Sequence, residues 1–204
     1  MKNVIKLAAT LLIVISTAAV SAQRTVSLRQ FEAIQQAYRS SADPVGLGLD
    51  DGEDITYIND PNNELNQFVG TWKGIYNALN YEFVFVKRVA YKADPTVEKA
   101  RDLIKVAVTV TNGLGALIYT NTNLPEKSNG FTGSNFLGST NTYRLNFTGN
   151  CYNETGNVFI YLMPDGKMSL SFSILPDIKS DDCPNGFTPV LPISPNKVLL
   201  TKQP

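Results

Sequence analysis

The chain has 204 residues, with 18 basic and 18 acidic side chains and no histidine. The missing imidazole excludes Ser-His-Asp and Cys-His catalysis, histidine-ligated zinc and imidazole proton transfer. The balanced charge, broken only by a local cluster at Lys87, Arg88 and Lys92, excludes the basic footprint that nucleic-acid binding requires.

Residues 1–22 read as a secretory signal peptide. Lys2 and Lys6 precede an apolar stretch over residues 7–20, and Val20-Ser21-Ala22 is a small-residue cleavage site. The apolar stretch is shorter than the roughly 20 residues of a membrane-spanning helix. The expected mature chain therefore starts at Gln23, carries no integral membrane segment and is exported to periplasm, cell surface or medium. Removing the segment leaves 16 basic against 18 acidic side chains, a net charge of −2.

Residues 23–66 are expected to form an N-terminal helix and a linker. Ser27 and Gln30 have capping-box spacing, Val26 and Phe31 are placed as a hydrophobic staple, and Leu28, Phe31, Ile34 and Tyr38 recur at helical spacing. This pattern predicts a short helix over 28–38. Residues 41–66 are rich in Gly, Pro, Asp and Asn and read as loop. Asp50, Asp51, Glu53 and Asp54 cluster there without the spacing of an EF-hand, so solvated turns are expected rather than a calcium site.

Residues 67–204 read as one β domain. Phe68, Gly70, Trp72, Gly74 and Tyr76 fall on one face of a strand, and Tyr81, Phe83 and Phe85 on one face of the next. Ile104, Val106, Val108 and Val110 alternate with Lys105, Ala107 and Thr109 up to Asn112-Gly113, a strong hairpin signal. Two further runs, "ALIYTNT" and "NTYRLNFTG", follow. "VFIYLMPDGKMSLSFSIL" is a hairpin around Pro164-Asp165-Gly166, with Met168, Leu170, Phe172 and Ile174 on the buried face. "KVLLTK" supplies the last strand. Seven or eight short strands predict an all-β, antiparallel barrel, with a β-sandwich as the alternative.

Cys151 and Cys183 are expected to form one disulfide, an even count in an exported chain. The loop it closes would contribute about 3 to 4 kcal/mol in the chain-entropy account. No cofactor and no metal site is expected. The remaining enzymatic option is a carboxylate glycan hydrolase, with Glu82 facing Asp102 or Asp177.

From Asn62 onward the chain is similar to an uncharacterised family of secreted Bacteroidetes proteins, a domain of unknown function. The resemblance rests on "NNELNQFVGTWKG", the Asn112-Gly113 hairpin and "DDCPNGFTPVLPISPNKVLLTK". It implies export and a small β-rich domain. More loosely, Gly70-Thr71-Trp72 resembles the Gly-x-Trp motif that opens the first barrel strand of calycins, the lipocalins and fatty-acid-binding proteins. That resemblance implies a calycin-like barrel in which Gly70 and Trp72 form a structural plug at the closed end. A basic residue of the last strand, Lys197 or Lys202, would pack over the indole. A ligand pocket would lie further up the barrel, lined by Tyr76, Phe83 and Phe85.

The leading functional expectation is a non-catalytic module that binds a small apolar or amphipathic ligand. The alternatives are a cell-surface or periplasmic protein-interaction module with a packed interior, and the glycan hydrolase. Nothing in the sequence specifies an oligomeric state.

Overall fold

The computed structural model describes residues 24–94, 96–123, 130–149, 154–175 and 189–204. The expected signal peptide, Cys151, Cys183 and Asp177 lie outside the described residues.

The elements in chain order are β1 (Arg24–Ser27), α1 (Leu28–Ser40), β2 (Ile55–Asn59), a 3-10 turn (Glu64–Gln67), β3 (Gly70–Tyr76), β4 (Leu79–Tyr91), β5 (Ala100–Asn112), β6 (Leu117–Thr120), β7 (Thr132–Phe136), β8 (Thr142–Thr148), β9 (Thr155–Leu162), β10 (Met168–Ile174) and β11 (Val198–Lys202). The helix begins where the capping box places it: Ser27 accepts from the Gln30 amide, and the Gln30 side chain accepts from the Ser27 amide. It runs two residues beyond the expected end. Arg39 lies in its last turn, where a cation suits the helix dipole.

Strands β3, β4, β5, β7, β8, β9, β10 and β11 form a closed antiparallel barrel, in the neighbour order β5-β4-β3-β11-β10-β9-β8-β7. Closure comes where β7 returns to β5, with Lys105 opposite Thr132 and the Val106 amide donating to the Phe131 carbonyl. The alternation in the sequence supplies the inner face. Val106, Val108 and Val110 stand opposite Phe85, Phe83 and Tyr81, and all six side chains are buried. Closure removes the barrel's open edges, a recurrent solution for antiparallel sheets.

The edge of β5 opposite β4 is shared among three strands. β2 pairs with its first residues in parallel, β7 with its middle and β6 with its end. Between the last two, the buried Asn121 side chain stands in for a peptide. Its Oδ1 accepts from the Val108 amide and its Nδ2 donates to the Val106 carbonyl. Val106 and Val108 are both 0% exposed, and a backbone group left unpaired in such a setting costs about 1–3 kcal/mol. Residues 55–59, expected as loop, form β2, which joins β1 and β5 in parallel.

The β9–β10 hairpin turns at Pro164-Asp165-Gly166 as expected, with Gly166 at φ 80° and the Met163 amide donating to the Lys167 carbonyl. The β5–β6 hairpin differs in detail. Asn112 Oδ1 accepts from both Leu114 and Ala116, which widens the turn and moves the positive φ to Gly115 instead of Gly113. Among the described residues no helix is long and apolar enough to cross a membrane.

Candidate functional site

The barrel has two different ends. At one, β3 begins directly after the 3-10 turn, and Trp72 lies buried with its Nε1 donating to the Phe68 carbonyl at 2.8 Å. Lys202 of β11 stands opposite Trp72 in the ladder, with Nζ 5.5 Å from the indole centroid. The ammonium stays at the solvent side while its stem covers the ring. Gly70 takes φ +124°, and a Cβ there would lie 3.0 Å from Lys202 Cε. This glycine leaves the path of the lysine clear. Gly74 has another task, since a Cβ there would meet the Leu199 carbonyl and come within 2.8 Å of Leu200 Cδ2. It lets β11 cross close to β3.

Helix α1 completes this floor. The Arg29 guanidinium sits 3.9 Å over the Phe136 ring, pairs with Glu64 at 2.7 Å and donates to the carbonyls of Gly138 and Thr140. Asp60 accepts from the Glu64 and Leu65 amides and from Lys87 Nζ at 2.7 Å. Asp102 accepts from the Tyr57 hydroxyl at 2.7 Å and from the amides of Asp60 and Ala90. Burial first, and then Asp102, push the Tyr57 phenol up to about 12, so it remains a donor.

Above the floor, the described interior carries a column of packed aromatic rings. Phe83 stacks on Tyr81 at 6.1 Å and meets Phe85 at 6.0 Å and Phe131 at 6.3 Å. Phe131 continues to Phe147 at 4.9 Å, and Phe147 to Phe172 at 5.5 Å and Tyr119 at 6.1 Å. Of the three residues expected to line a pocket, Phe83 and Phe85 belong to this column, 0% and 1% exposed. Tyr76 is partly buried against the core at the far end of β3. The structure therefore does not bring the three together around an open space.

A recess of about 710 Å³ lies on the face formed by β11, β3, β4 and β5. Its walls carry Lys73, Ile75, Glu82, Thr109, Thr111, Leu199 and Thr201, the outward positions of those strands. Lys73 and Glu82 pair at 2.7 Å within it, so the floor of the recess is neutral. Ile75 and Leu199 are 71% and 43% exposed and supply its apolar part. Sequence reasoning passed over these residues. The available signal was an isoleucine in the outward register of β3 and three consecutive apolar residues in β11, Val198 to Leu200.

Of the two carboxylate pairs expected from the sequence, only Glu82 with Asp102 falls among the described residues, and these two are not brought together. Glu82 stands opposite Thr109 of β5, seven residues from Asp102 on the same strand. At a strand rise of about 3.3 Å per residue the two lie roughly 23 Å apart, beyond the separation a glycosidase uses. In the acidic loop, Arg24 pairs with Asp50 at 2.6 Å and with Asp54 at 3.2 Å. The hydrogen bond from Arg24 is the foremost reason that the Asp50 carboxyl lies below its usual range. Asp51 accepts from the Glu53 amide. Among the described residues no three His, Cys, Asp or Glu side chains are arranged to hold a metal ion. Comparison with protein-family models, curated proteins and solved structures finds no match for this chain.

Proposed function

We propose that this protein is an exported, non-catalytic barrel module that binds a small amphipathic ligand in the recess on the outer face of β11, β3, β4 and β5. One observation carries the reading. The recess holds about 710 Å³, a volume typical of small-molecule sites, while the described interior is occupied by its own aromatic side chains. Ile75 and Leu199 offer apolar area, and Thr109, Thr111, Thr201 and the Lys73–Glu82 pair offer hydrogen bonds that orient a polar end.

In this reading the protein is calycin-like in construction, with Trp72, Gly70 and Lys202 as the plug, but the filled interior shifts ligand binding to the outside. The Cys151–Cys183 disulfide belongs to the same reading. The strand ends that flank the two cysteine-bearing segments are neighbours, with Phe147, Gly156 and Ile174 in one register.

The test is calorimetric titration of the mature protein with 8-anilinonaphthalene-1-sulfonate, an amphipathic probe. Thr109→Trp fills the recess from an outward position without touching the core. Binding is expected in the parent and about tenfold weaker in the variant, a difference of about 1.4 kcal/mol. Equal affinity in both would overturn the assignment of the recess.

A second reading has its own observation. Ile118 of β6 is half exposed beside β5, so exposed apolar side chains stand on both flanks of the polar outer positions of β4 and β5, with Ile75 and Leu199 on the other flank. An arrangement of this kind suits a protein partner that covers the whole face.

A further inference from the structure

The mouth of the barrel, opposite the Trp72 floor, is occupied by the chain itself. Val190 and Leu191 are 7% and 2% exposed and belong to the hydrophobic core. They are not part of the barrel ladder. β11 pairs with β10 only over Met168–Leu170. Beyond that, Phe172 of β10 donates to the Pro192 carbonyl at 3.0 Å and accepts from the Ser194 amide at 2.7 Å. The segment thus lies along β10 in parallel, with Ile193 opposite Phe172, and turns its first residues inward.

Two buried side chains hold Val190 by its backbone. Glu154, 0% exposed just before β9, accepts a hydrogen bond from the Val190 amide. The Tyr81 hydroxyl donates to the Val190 carbonyl at 2.9 Å. One side chain reads the N–H and the other the C=O of a single residue, across its Cα. A carboxylate is an acceptor only and a buried phenol beside a carbonyl is a donor, so the pair is complementary to one amino-acid unit in extended form. Burial foremost, then Tyr76 and Glu154, push the Tyr81 phenol up to about 12, which keeps it a donor at neutral pH. Val190 is buried within the hydrophobic core, so an aliphatic side chain suits this position.

We infer that the barrel mouth is a peptide-recognition site, filled in this structure by the chain's own Val190, that takes an extended peptide with an aliphatic residue between two amide bonds. The site lies at the end of the barrel and not on its outer face, although Tyr81 also lines the outer recess. Glu154 and Tyr81 are its recognition pair, and the Phe172 backbone continues the pairing as a strand edge does when it accepts an added strand. Occupation by residue 190 lowers the apparent affinity for an outside peptide by the fraction of time the mouth is filled.

The probe is acetyl-Pro-Val-Leu-Pro-Ile-amide, which repeats residues 189–193 of this chain. The first experiment uses the unaltered mature protein and follows amide hydrogen exchange. An outside peptide that takes the site releases the Val190 N–H from Glu154. Its exchange is expected to accelerate about tenfold at millimolar peptide, while the Val158 and Val108 amides in the barrel wall keep their rates. An unchanged Val190 rate would overturn the inference. The second experiment weakens the internal occupant in the double variant Val190→Gly, Leu191→Gly, which is expected to bind the labelled peptide at least about tenfold more tightly than the parent. Adding Glu154→Ala to it is expected to abolish that gain. A folded double variant that binds no better than the parent would also overturn the inference. If the double variant does not fold, the exchange result on the parent decides. Thr109→Trp, which fills the outer recess, is expected to leave peptide binding unchanged, so failure of one site does not count against the other.

Discussion

The floor and the mouth of this barrel are closed by different means. The floor is closed by side chains from distant parts of the chain. Trp72 lies under Lys202, Arg29 joins α1 to Glu64 and to the β7–β8 turn, and Asp60 and Asp102 tie the 3-10 turn to β4 and β5. The mouth is closed by a stretch of backbone, with Val190 held by Glu154 and Tyr81. Side-chain networks of the first kind are costly to open because each broken contact strands a buried polar group. A backbone segment, held here at Val190 by two side chains and at Pro192 and Ser194 by the Phe172 backbone, can be replaced by another backbone that makes the same bonds. The comparison teaches that a closed barrel need not be uniformly fixed: the floor is built for stability and the mouth for exchange.

The largest effect expected is at the floor. Trp72→Ala removes the ring that seals it and the bond to the Phe68 carbonyl, and should cost about 3–5 kcal/mol in urea denaturation. A loss below about 1 kcal/mol would mean that the floor does not depend on the indole. Asp102→Ala comes next. It leaves the Tyr57 hydroxyl and the amides of Asp60 and Ala90 without their acceptor, for an expected loss of about 2–4 kcal/mol by the same measurement.

A smaller effect sharpens the comparison from the mouth. Burial first, and Glu154 second, raise the Tyr119 phenol from 10 to about 12. The folded state thus keeps a proton that the unfolded chain gives up. The stabilisation is fully present below pH 10 and is lost as pH rises from 10 toward 12. Thermal melts across that window should fall less steeply for Tyr119→Phe than for the parent, and identical slopes would contradict the burial of this group. The smallest effect is expected for Lys202→Met, which keeps a stem over Trp72 and removes only the charge. A loss of about 0.5–1 kcal/mol in denaturation is predicted. A loss as large as that of Trp72→Ala would show the lysine to be a structural partner in its own right.

Much of the barrel was legible because its strands bury one face. The alternation in Ile104 to Val110 and in Met168 to Ile174 appears unchanged as the inner wall, and the Ser27–Gln30 spacing is the observed cap. Gly70 and Trp72 could be singled out by their resemblance to the Gly-x-Trp motif, which left Lys197 and Lys202 both open as the cation; the residue over the ring is Lys202. Other elements carried no such signal. β7, Thr132–Phe136, contains one large apolar side chain and holds its place through pairing with β8 and a single pair with β5. β2 is a five-residue run that follows a Gly- and Asp-rich loop, and its place is fixed by parallel pairing with β1 and with the start of β5. The recess depends on how the outer faces of β11, β3, β4 and β5 come together, a property of curvature that no local pattern records. Val190 is recognised by Glu154, 36 residues earlier, and by Tyr81, 109 residues earlier. Such pairs follow from topology and not from spacing.

The central claim is that a small amphipathic ligand binds in the outer recess and not among the aromatic rings of the described interior. Methyl-labelled nuclear magnetic resonance on the mature protein with bound 8-anilinonaphthalene-1-sulfonate tests it most directly. Intermolecular Overhauser contacts from the probe to the Ile75 and Leu199 methyls, with none to Ile104, Val106 or Ile160, are the predicted result. Contacts to the interior methyls would contradict the claim and return the ligand to the barrel.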